Sequence, residues 1–518
     1  MNIAVKPATT KIAYSTQQAS VIDWTKNGWG NALVRARAGT GKTFLLMACI
    51  PHMRGSIAVA AFNNKIAREI DSKVTEKGYQ AEVRTFHSFG FSAWRRVARG
   101  VKIEGKGSRN AGFFKFDHIE EKLELPQTYR TFARKAMSLA KQAGIGIFDE
   151  IEDRRAWYEI VNRHNLGDLF QSEDPDDDYD LFIRQGIDWA IACLKMSNSL
   201  SHEVIDFDDM LYMPLLKKAR FWQHDWLLVD EAQDTNPVRR EMARRILKRD
   251  GRAIFVGDDR QAIYGFTGAD NDSLDIIKKT FRAEEFPLTV TFRCAKAVVD
   301  EAKELVPDYE AAEQNIQGEV TSVNEADFEH SVLQPGDAVI CRNTKPLVEM
   351  AFSLIRSGIA CHVEGRDIGA GLIALAARWK SIKNLSKLYE RLDTYLERET
   401  EKLQEAEREA AIAVLEDKVG TLKSLINFVG IDKTVDDLKL WIEELFSDTP
   451  EGVPSNRVTL LTAHRSKGLE YDNVYLLGAN KYMPSPYAKL QWQREQEDNL
   501  LYVAITRAIK KLTYINVA

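Results

Sequence analysis

Residues Ala36-Arg37-Ala38-Gly39-Thr40-Gly41-Lys42-Thr43 form a run of mostly small residues that ends in a lysine and a threonine. The run follows the apolar segment Ala32-Leu33-Val34 and precedes the apolar segment Phe44-Leu45-Leu46-Met47. This order is typical of a phosphate-binding loop, in which backbone N–H groups at a helix N-terminus surround a polyphosphate. Lys42 would supply a positive charge, and Thr43 would offer its hydroxyl to Mg²⁺. A glycine-rich turn without a ligand is the alternative interpretation of this run.

Two adjacent carboxylates follow another apolar segment. Residues Trp226-Leu227-Leu228-Val229 lead directly into Asp230 and Glu231. Parallel α/β sheets bind their ligands at the carboxyl ends of the strands, which is where this pair is expected to lie. Asp230 is predicted to hold Mg²⁺ together with Thr43, and Glu231 to orient and deprotonate the attacking water. The two motifs together predict an enzyme that hydrolyses ATP with Mg²⁺ as its cofactor.

Phosphoryl transfer also requires cations near the γ-phosphate, and an arginine in that position accelerates the reaction about 10³–10⁵-fold. The candidates are Arg293, which ends the segment from Leu288, and Arg507, which ends the segment from Tyr502. If both arginines reach the phosphates, ATP must lie between two α/β domains. Their spacing alone favours ordinary surface arginines.

Short apolar segments bounded by turn residues recur along the chain, and several precede periodic helical patterns. This alternation is typical of buried parallel strands joined by crossover helices. We therefore expect an α/β fold with two parallel-sheet domains, each carrying a mainly helical insertion. The predicted divisions are 1–90 and 201–283 for the first domain, 91–200 for its insertion, 284–366 and 456–518 for the second domain, and 367–455 for its insertion. The further apolar segments are Ile57 to Ala61, Ala253 to Val256, Ala338 to Cys341, Val458 to Leu461, Val474 to Leu477 and Leu512 to Val517.

The second insertion contains a charged stretch, Asn384 to Phe428, that is rich in Glu, Lys, Leu and Ala and has no proline. This composition predicts one or two long helices. A helical hairpin packed on its own domain is the favoured arrangement, and a coiled-coil arm for a partner is the alternative.

Composition excludes several classes of protein. The chain has 518 residues, 71 Lys and Arg against 76 Asp and Glu, and five scattered cysteines. These values exclude collagen-like, wholly disordered and disulfide-rich proteins, and they predict reduced thiols rather than a zinc site. No apolar run reaches the ~18–20 residues of a membrane span, and no signal peptide is evident, so a cytoplasmic location without membrane contact is expected. The small negative charge neither favours nor excludes nucleic acid, because local charge decides binding.

The motifs, in this order, resemble those of the UvrD/Rep-type DNA helicases of superfamily 1. That family's phosphate loop begins with alanine, so Ala36 fits the family although the strict phosphate-loop pattern has glycine there. The other matching segments are Tyr14 to Gln18 (the Q motif), Ala61 to Lys65 (motif Ia), Thr85 to Ser88 (the strand-contacting motif that follows it), Asp230 to Gln233 (motif II), Val256 to Ala269 (motif III), Phe292-Arg293 (motif IV), Thr462 to Glu470 (motif V) and Glu497 to Arg507 (motif VI).

The resemblance implies two RecA-like domains and an ATP-driven motor, stimulated by DNA, that moves 3′→5′ on single-stranded DNA and unwinds duplexes. It implies that Gln18 reads the adenine edge, that Gln261 senses the γ-phosphate and that Glu470 contacts the nucleotide. Single-stranded and tailed duplex DNA are the implied partners. Without the resemblance, Phe62 would be interpreted as a core residue. The implied DNA contacts are Phe62, Asn64, His87, Tyr264, Phe266, Thr462 and His464.

Several features depart from the family. Motif III has Thr267, and motif IV has Thr291 and Cys294, where other residues are common. The second insertion is much shorter than the corresponding subdomain of UvrD or Rep, and with Asn499 to Ala504 it resembles the motor of the F-box DNA helicases. The chain ends soon after Arg507, so a fused C-terminal nuclease is not expected.

The short insertion leaves other functions open. One is an ATP-gated DNA-binding switch or a protein-displacing translocase with little unwinding. Another is the motor subunit of a larger replication, repair or defence complex that has a nuclease elsewhere. The preference for DNA over RNA rests on the resemblance alone.

Overall fold

The computed structural model describes residues 14–104, 114–164, 166–169, 178–263, 272–379, 381–405, 409–447, 456–488 and 491–518. Its two main sheets have six and seven strands, and every pair of neighbouring strands within them is parallel. The strands are β1 Ala32–Ala36, β2 Ile57–Ala61, β3 Glu82–Thr85, β4 Lys102–Ile103, β5 Val204–Ile205, β6 His224–Val229, β7 Leu247–Gly257, β8 Glu284–Leu288, β9 Val290–Thr291, β10 Glu310–Ala311, β11 Glu319–Asn324, β12 Ala338–Cys341, β13 Cys361–Glu364, β14 Phe446–Ser447, β15 Val458–Thr462, β16 Tyr471–Leu477 and β17 Ala508–Asn516.

The helices follow the strands as crossovers or form the insertions. Side-chain caps define several of their starts; the Thr85 hydroxyl, for example, accepts the N–H of Ser88 at the start of α4. They are α1 Thr16–Asn27, α2 Lys42–Cys49, α3 Asn64–Glu76, α4 Phe86–Val97, α5 Lys115–Leu123, α6 Gln127–Ala143, α7 Arg154–Arg163, α8 Tyr179–Leu200, α9 Asp209–Leu216, α10 Pro237–Ile246, α11 Ser273–Phe281, α12 Lys296–Ala302, α13 Thr344–Arg356, α14 Arg366–Ala376, α15 Leu385–Glu405, α16 Glu409–Val429, α17 Val435–Leu445, α18 Ala479–Tyr482 and α19 Gln491–Ile505.

The first sheet has the strand order β3-β2-β6-β7-β1-β8. Alternate residues of its central strands enter two different cores; Leu33 packs with α4 and α10 on one face, and Val34 packs with α1 and α2 on the other. Both faces are therefore covered, which is why the central strands contain the apolar runs Ala32-Leu33-Val34, Trp226 to Val229 and Ala253 to Val256. Because β7 lies between β1 and β6, the carboxyl ends of all three strands meet at one edge.

The boundary predicted at residue 284 differs from the structure, because β8 pairs with β1 at the edge of the first sheet. Its sequence, Glu-Glu-Phe-Pro-Leu, has no apolar pattern. An edge strand tolerates charges and a proline since only one of its sides is paired. The first domain thus extends to Leu288.

The second sheet has the order β11-β17-β16-β12-β15-β13-β14. Its edge strand β14 lies inside the segment predicted as insertion, 367–455, and pairs with β13. Two residues are too short to give a sequence pattern, so this strand was not predicted. The predicted class is confirmed: the fold is α/β, with two parallel-sheet domains and mainly helical insertions.

The second insertion shares a hydrophobic core with its domain. Helices α15 and α16 form the predicted hairpin, and buried leucines of α16 lie in the same cluster as Leu347 and Leu354 of α13. The rings of Phe352 and Phe428 stack across this boundary with centroids 3.9 Å apart. The hairpin therefore packs on its own domain and is not a free coiled-coil arm.

Candidate functional site

The phosphate loop is a tight turn between β1 and α2. Gly39 and Gly41 have φ of +68° and +83°, which only glycine adopts without strain. A Cβ at Gly39 would lie 2.5 Å from both the Cβ of Arg293 and the Oγ1 of Thr291. The loop is thus in direct contact with the chain that enters the second domain.

We expect Gly39→Ala to abolish nucleotide binding by the closed cleft. The added methyl group would occupy the space of Arg293 and Thr291 at a backbone conformation that alanine resists. Binding of fluorescent ADP is the measurement, with Gly78→Ala as the control. Gly78 also has positive φ, +67°, but a Cβ there meets no atom within 4 Å. Equal binding losses in the two variants would contradict this steric explanation.

Glu231 belongs to a hydrogen-bond network that runs from Lys42 of the phosphate loop to Gln261. Glu231 has left-handed backbone angles (φ +50°), and both of its carboxylate oxygens lie 3.1 Å from the Lys42 Nζ. The amide of Gln233 donates to Glu231 at 2.5 Å and accepts the N–H of Asp258 at 3.0 Å. The Gln261 amide donates to Asp258 at 2.7 Å. The phosphate loop is therefore connected through motif II to the predicted phosphate sensor.

The two adjacent carboxyls titrate in opposite directions. Burial, followed by the charge of Glu231, raises the pKa of Asp230 to about 7. Burial also opposes ionisation of Glu231, but the charges of Lys42 and Lys467 outweigh it and lower the pKa of Glu231 to about 2. The charge of Lys42 offsets only part of this rise for Asp230, and a bound Mg²⁺ would favour its ionised form.

We expect Asp230→Asn to stabilise the ligand-free protein more at pH 8 than at pH 5. The folded state holds the Asp230 proton up to about pH 7, so wild-type stability falls as pH rises from the ordinary pKa of 3.8 through 7. Neutral asparagine removes this loss, which amounts to at most about 4 kcal/mol in the free energy of unfolding. Urea unfolding at both pH values, without nucleotide or Mg²⁺, measures the difference.

Asp225→Asn is the control of opposite sign. Hydrogen bonds from Lys248 and Ser56 lower the pKa of Asp225, so the native carboxylate stabilises the fold above that range. The asparagine variant should therefore be the less stable protein at pH 8. An equal gain for Asp230→Asn at both pH values would contradict the raised pKa of Asp230.

The two candidate arginines lie close to each other. Arg507 is fully buried, and its guanidinium donates to neutral oxygens: the carbonyls of Val503 and Leu469 and the hydroxyl of Thr506. Burial and then the charge of Arg293 lower the pKa of Arg507 to about 10. The two guanidiniums are thus close enough for their charges to interact, and the Arg293 side chain also lies against Gly39 of the phosphate loop.

Glu470, predicted to contact the nucleotide, forms an ion pair of 2.6 Å with Arg293, and its side chain is half exposed. The structure therefore brings Glu470 to the same cleft. There it is a partner of the candidate arginine.

Two residues predicted to contact the nucleotide have side-chain partners within the protein. The buried amide of Gln18 donates to the carbonyl of Thr40 at 3.1 Å and accepts the N–H of Ser15 at 3.2 Å. The guanidinium of Arg37 binds Asp259 at 2.8 Å and Asp308 at 2.9 Å. Gln18 thus supports the loop, and Arg37 bridges the two domains.

Second-domain residues that the sequence analysis did not single out also complete the cleft. Lys467 Nζ donates to the Asp234 carboxylate and to the Gln261 carbonyl, each at 2.7 Å. The Asn499 amide donates to the Ala262 carbonyl at 3.2 Å. Lys467 lies in the matching segment Thr462 to Glu470, and Asn499 lies in the segment Glu497 to Arg507. Their contacts with the first domain are evident only in the folded chain.

The predicted DNA contacts Phe62 and His87 on the first domain both lie near Arg239. Asn64 is exposed on the first turn of α3, and the Arg239 guanidinium covers the Phe62 ring at 5.0 Å. Burial and the charge of Arg239 lower the pKa of His87 to about 3, so His87 is neutral at physiological pH. Phe207 packs against His87 with ring centroids 4.7 Å apart. Sequence analysis missed Phe207, which is 60% exposed.

On the second domain, Thr462 and His464 line a cavity of about 810 Å³ together with Arg342, Tyr487 and Trp492. Burial and then the charge of Arg342 lower the pKa of His464 to about 4, so this imidazole is also neutral. The predicted contacts Tyr264 and Phe266 lie outside the described residues.

Comparison with known proteins identifies the family. The model of the UvrD/REP helicase N-terminal domain matches residues 15–282, and the model of the UvrD-like helicase C-terminal domain matches residues 457–515. The chain belongs to the UvrD/REP helicase family. The N-terminal match covers the phosphate loop, both motif carboxylates and Gln261, and the C-terminal match covers Lys467 and Arg507.

Curated UvrD/REP relatives align over nearly the whole chain. It is 21% identical to the ATP-dependent DNA helicase Rep of Buchnera aphidicola subsp. Schizaphis graminum, with 94% of this chain and 91% of that protein covered. It is 23% identical to Rep of Escherichia coli, with 94% and 88% covered. DNA helicase IV of Escherichia coli is 28% identical over 52% of this chain and 43% of its own length. Among the helices described, none is long and apolar enough to cross a membrane.

Proposed function

We propose that this chain is an ATP-dependent DNA helicase that translocates 3′→5′ on single-stranded DNA and acts in replication, recombination or repair. The observation that carries the proposal is the cleft itself. A phosphate loop, a motif II carboxylate bound to its lysine and two arginines of the other domain converge there. Family membership supports the same activity.

ATP binding would change the partner of Lys42. In the structure Lys42 neutralises Glu231 and holds the pKa of that carboxyl low. A polyphosphate in the loop would compete for the lysine, and Glu231 would regain basicity as this cation leaves. Glu231 would then accept a proton from the attacking water, while Arg293 and Arg507 stabilise the developing charge.

The residues that would hold Mg²⁺ are Asp230 and Thr43. A divalent cation suits this site because Asp230 is a buried carboxyl next to a second carboxylate. Mg²⁺ would neutralise charge on the β- and γ-phosphates.

Movement along DNA requires that the cleft and the DNA path be connected. From the second domain, Lys467 bonds Asp234, the residue after motif II, and Gln261 of motif III. The motif V segment that contains Lys467 also contains Thr462 and His464, which line the cavity. Opening and closing of the cleft would therefore displace the cavity relative to Phe62 and Phe207. Alternating grip on the strand by the two domains is the proposed translocation mechanism.

Strand displacement on duplexes with either a 3′ or a 5′ single-stranded tail tests the proposal, with Glu231→Gln as the inactive control. Unwinding only from the 3′ tail is the expected result, and a preference for the 5′ tail would overturn the polarity. DNA-stimulated ATP hydrolysis without unwinding would instead indicate a translocase or a partner-dependent motor. The short second insertion, which shares a core with its domain, is the feature that would favour that outcome.

We expect Phe207→Ala to weaken binding of single-stranded DNA about 5- to 150-fold, the value of one stacked base. Phe207 is exposed next to His87 and free to present a ring face to a base. Trp222→Ala is the control, since Trp222 is 68% exposed but precedes the amino end of β6, at the opposite edge of the sheet. Fluorescence anisotropy of a labelled oligonucleotide is the measurement. Similar losses in both variants would argue against a DNA contact at Phe207.

A further inference from the structure

We propose that Tyr309 and Tyr502 are positioning residues that make nucleotide affinity depend on closure of the second domain. Both act through the main chain of Ala38 in the phosphate loop. The inference rests on the proposed ATP site and adds to it two residues that couple the site to domain closure.

The two tyrosines bond both main-chain polar groups of Ala38. The N–H of Ala38 donates to the Tyr502 hydroxyl at 3.0 Å, and the Tyr309 hydroxyl donates to the Ala38 carbonyl at 2.9 Å. Both tyrosines are fully buried, and their rings meet edge to face with centroids 5.7 Å apart. Ala38 itself is buried in the hydrophobic core of the second domain.

The residues on either side of Ala38 are held in the same way. The Arg37 N–H donates to the Leu288 carbonyl at 2.8 Å, and the Phe292 N–H donates to the Gly39 carbonyl at 3.0 Å. The Arg37 side chain reaches Asp308, which is adjacent in sequence to Tyr309. Arg37, Ala38 and Gly39 are therefore each bonded to a residue that follows Leu288, the end of the first domain.

The second half of the loop is held by the first domain. The Gln18 amide of α1 supports the Thr40 carbonyl, and the Thr40 hydroxyl donates to the Arg37 carbonyl at 2.8 Å. Separation of the domains would leave these bonds intact but would remove both tyrosine hydroxyls from Ala38. In its first half the loop would then keep the bond from the Arg37 N–H to Leu288 of the first domain but lose its second-domain partners at Ala38.

This arrangement couples loop conformation to closure in both directions. If closure of the domains raises the affinity of the loop for nucleotide by some factor, bound nucleotide must raise the equilibrium constant for closure by the same factor. In the structure both hydroxyls and Ala38 are buried away from solvent. A variant without a hydroxyl therefore leaves a main-chain group of Ala38 unsatisfied in the closed form alone.

Tyr309→Phe and Tyr502→Phe test the inference, because phenylalanine keeps the ring and removes only the hydroxyl. We expect each variant to bind fluorescent ADP about three- to tenfold more weakly and to raise the KM for ATP by the same factor. The kcat at saturating ATP should stay within about twofold of wild type, because the lost interaction affects bound substrate and transition state alike.

Tyr212→Phe is the matched control. Tyr212 is fully buried, and its hydroxyl donates to the Ile145 carbonyl at 2.6 Å, within the first insertion. This variant should lower the Tm as the other two do but leave ADP affinity unchanged. Wild-type ADP affinity in Tyr309→Phe or Tyr502→Phe, or an equal loss in Tyr212→Phe, would overturn the inference. Failure of the proposed helicase function would instead appear in the wild-type protein, and the ADP-binding comparison would still test the two tyrosines.

Discussion

Replacing Glu231 by glutamine is expected to lower kcat for ATP hydrolysis about 10²–10⁴-fold, the contribution of a positioned general base. Glutamine is nearly isosteric and can still accept hydrogen bonds from Lys42 and Gln233, whose side chains contact Glu231 in the structure. It cannot take a proton from water. ATP should still bind, because the loss of the carboxylate frees Lys42 for the phosphates. Steady-state hydrolysis at saturating DNA and binding of fluorescent ADP measure the two effects.

Glu285→Gln provides the comparison for Glu231→Gln. Glu285 is also a carboxylate held by cations, Arg35 and Lys278, but it lies on the edge strand β8. Its replacement should leave kcat near the wild-type value. Hydrolysis by Glu231→Gln within tenfold of wild type would remove Glu231 from the role of general base.

Replacing Arg293 by alanine is expected to lower kcat about 10³–10⁵-fold, the range for an arginine that stabilises the transferring phosphoryl group. Arg293 touches the space beside Gly39 and lies near the buried Arg507. The guanidinium of Arg293 would attract the negative charge that develops on the γ-phosphate, and the nearby Arg507 adds a second positive charge whose hydrogen-bond partners are neutral oxygens. Because Arg293 is partly exposed and its ion pair is with the half-exposed carboxylate of Glu470, its removal should hardly change the Tm.

Arg35→Ala separates this catalytic effect from loss of stability. Arg35 has similar exposure, and its ion pairs with Asp259, Asp275 and Glu285 lie within the first domain. We expect this variant to unfold at a lower temperature with little change in kcat. A kcat for Arg293→Ala close to that of Arg35→Ala would show that Arg293 does not act on the phosphates.

The sequence predicted the strands whose apolar pattern follows from burial on both faces of a sheet. The strands β1, β6 and β12 each contain a run of at least three apolar residues, because helices cover both faces of their sheets. Edge strands obey no such constraint, which is why β8, with its charges and proline, and the two-residue β14 were missed. Domain boundaries were accordingly less accurate than the central strands.

The candidate site was predictable where chemistry dictates residue type, as in the phosphate loop and the motif II pair. Contacts that depend on how two domains meet were not predictable. Tyr502 and Lys467 are conspicuous within their motifs, but their bonds to Ala38 and Asp234 exist only in the folded chain. Gln18 and Arg37, which were predicted to lie at the nucleotide, have side-chain partners within the protein, and their contact with a ligand stays a prediction.

The core shared by α13 and the second insertion restricts how this segment can be exchanged between related genes. Leu347, Leu354 and Phe352 of α13 are covered by side chains of α16, so a graft that replaced residues 367–455 alone would expose them. A longer subdomain could be accepted only with compensating changes on α13. The helix and the insertion are therefore expected to be inherited, and to diverge, as one block.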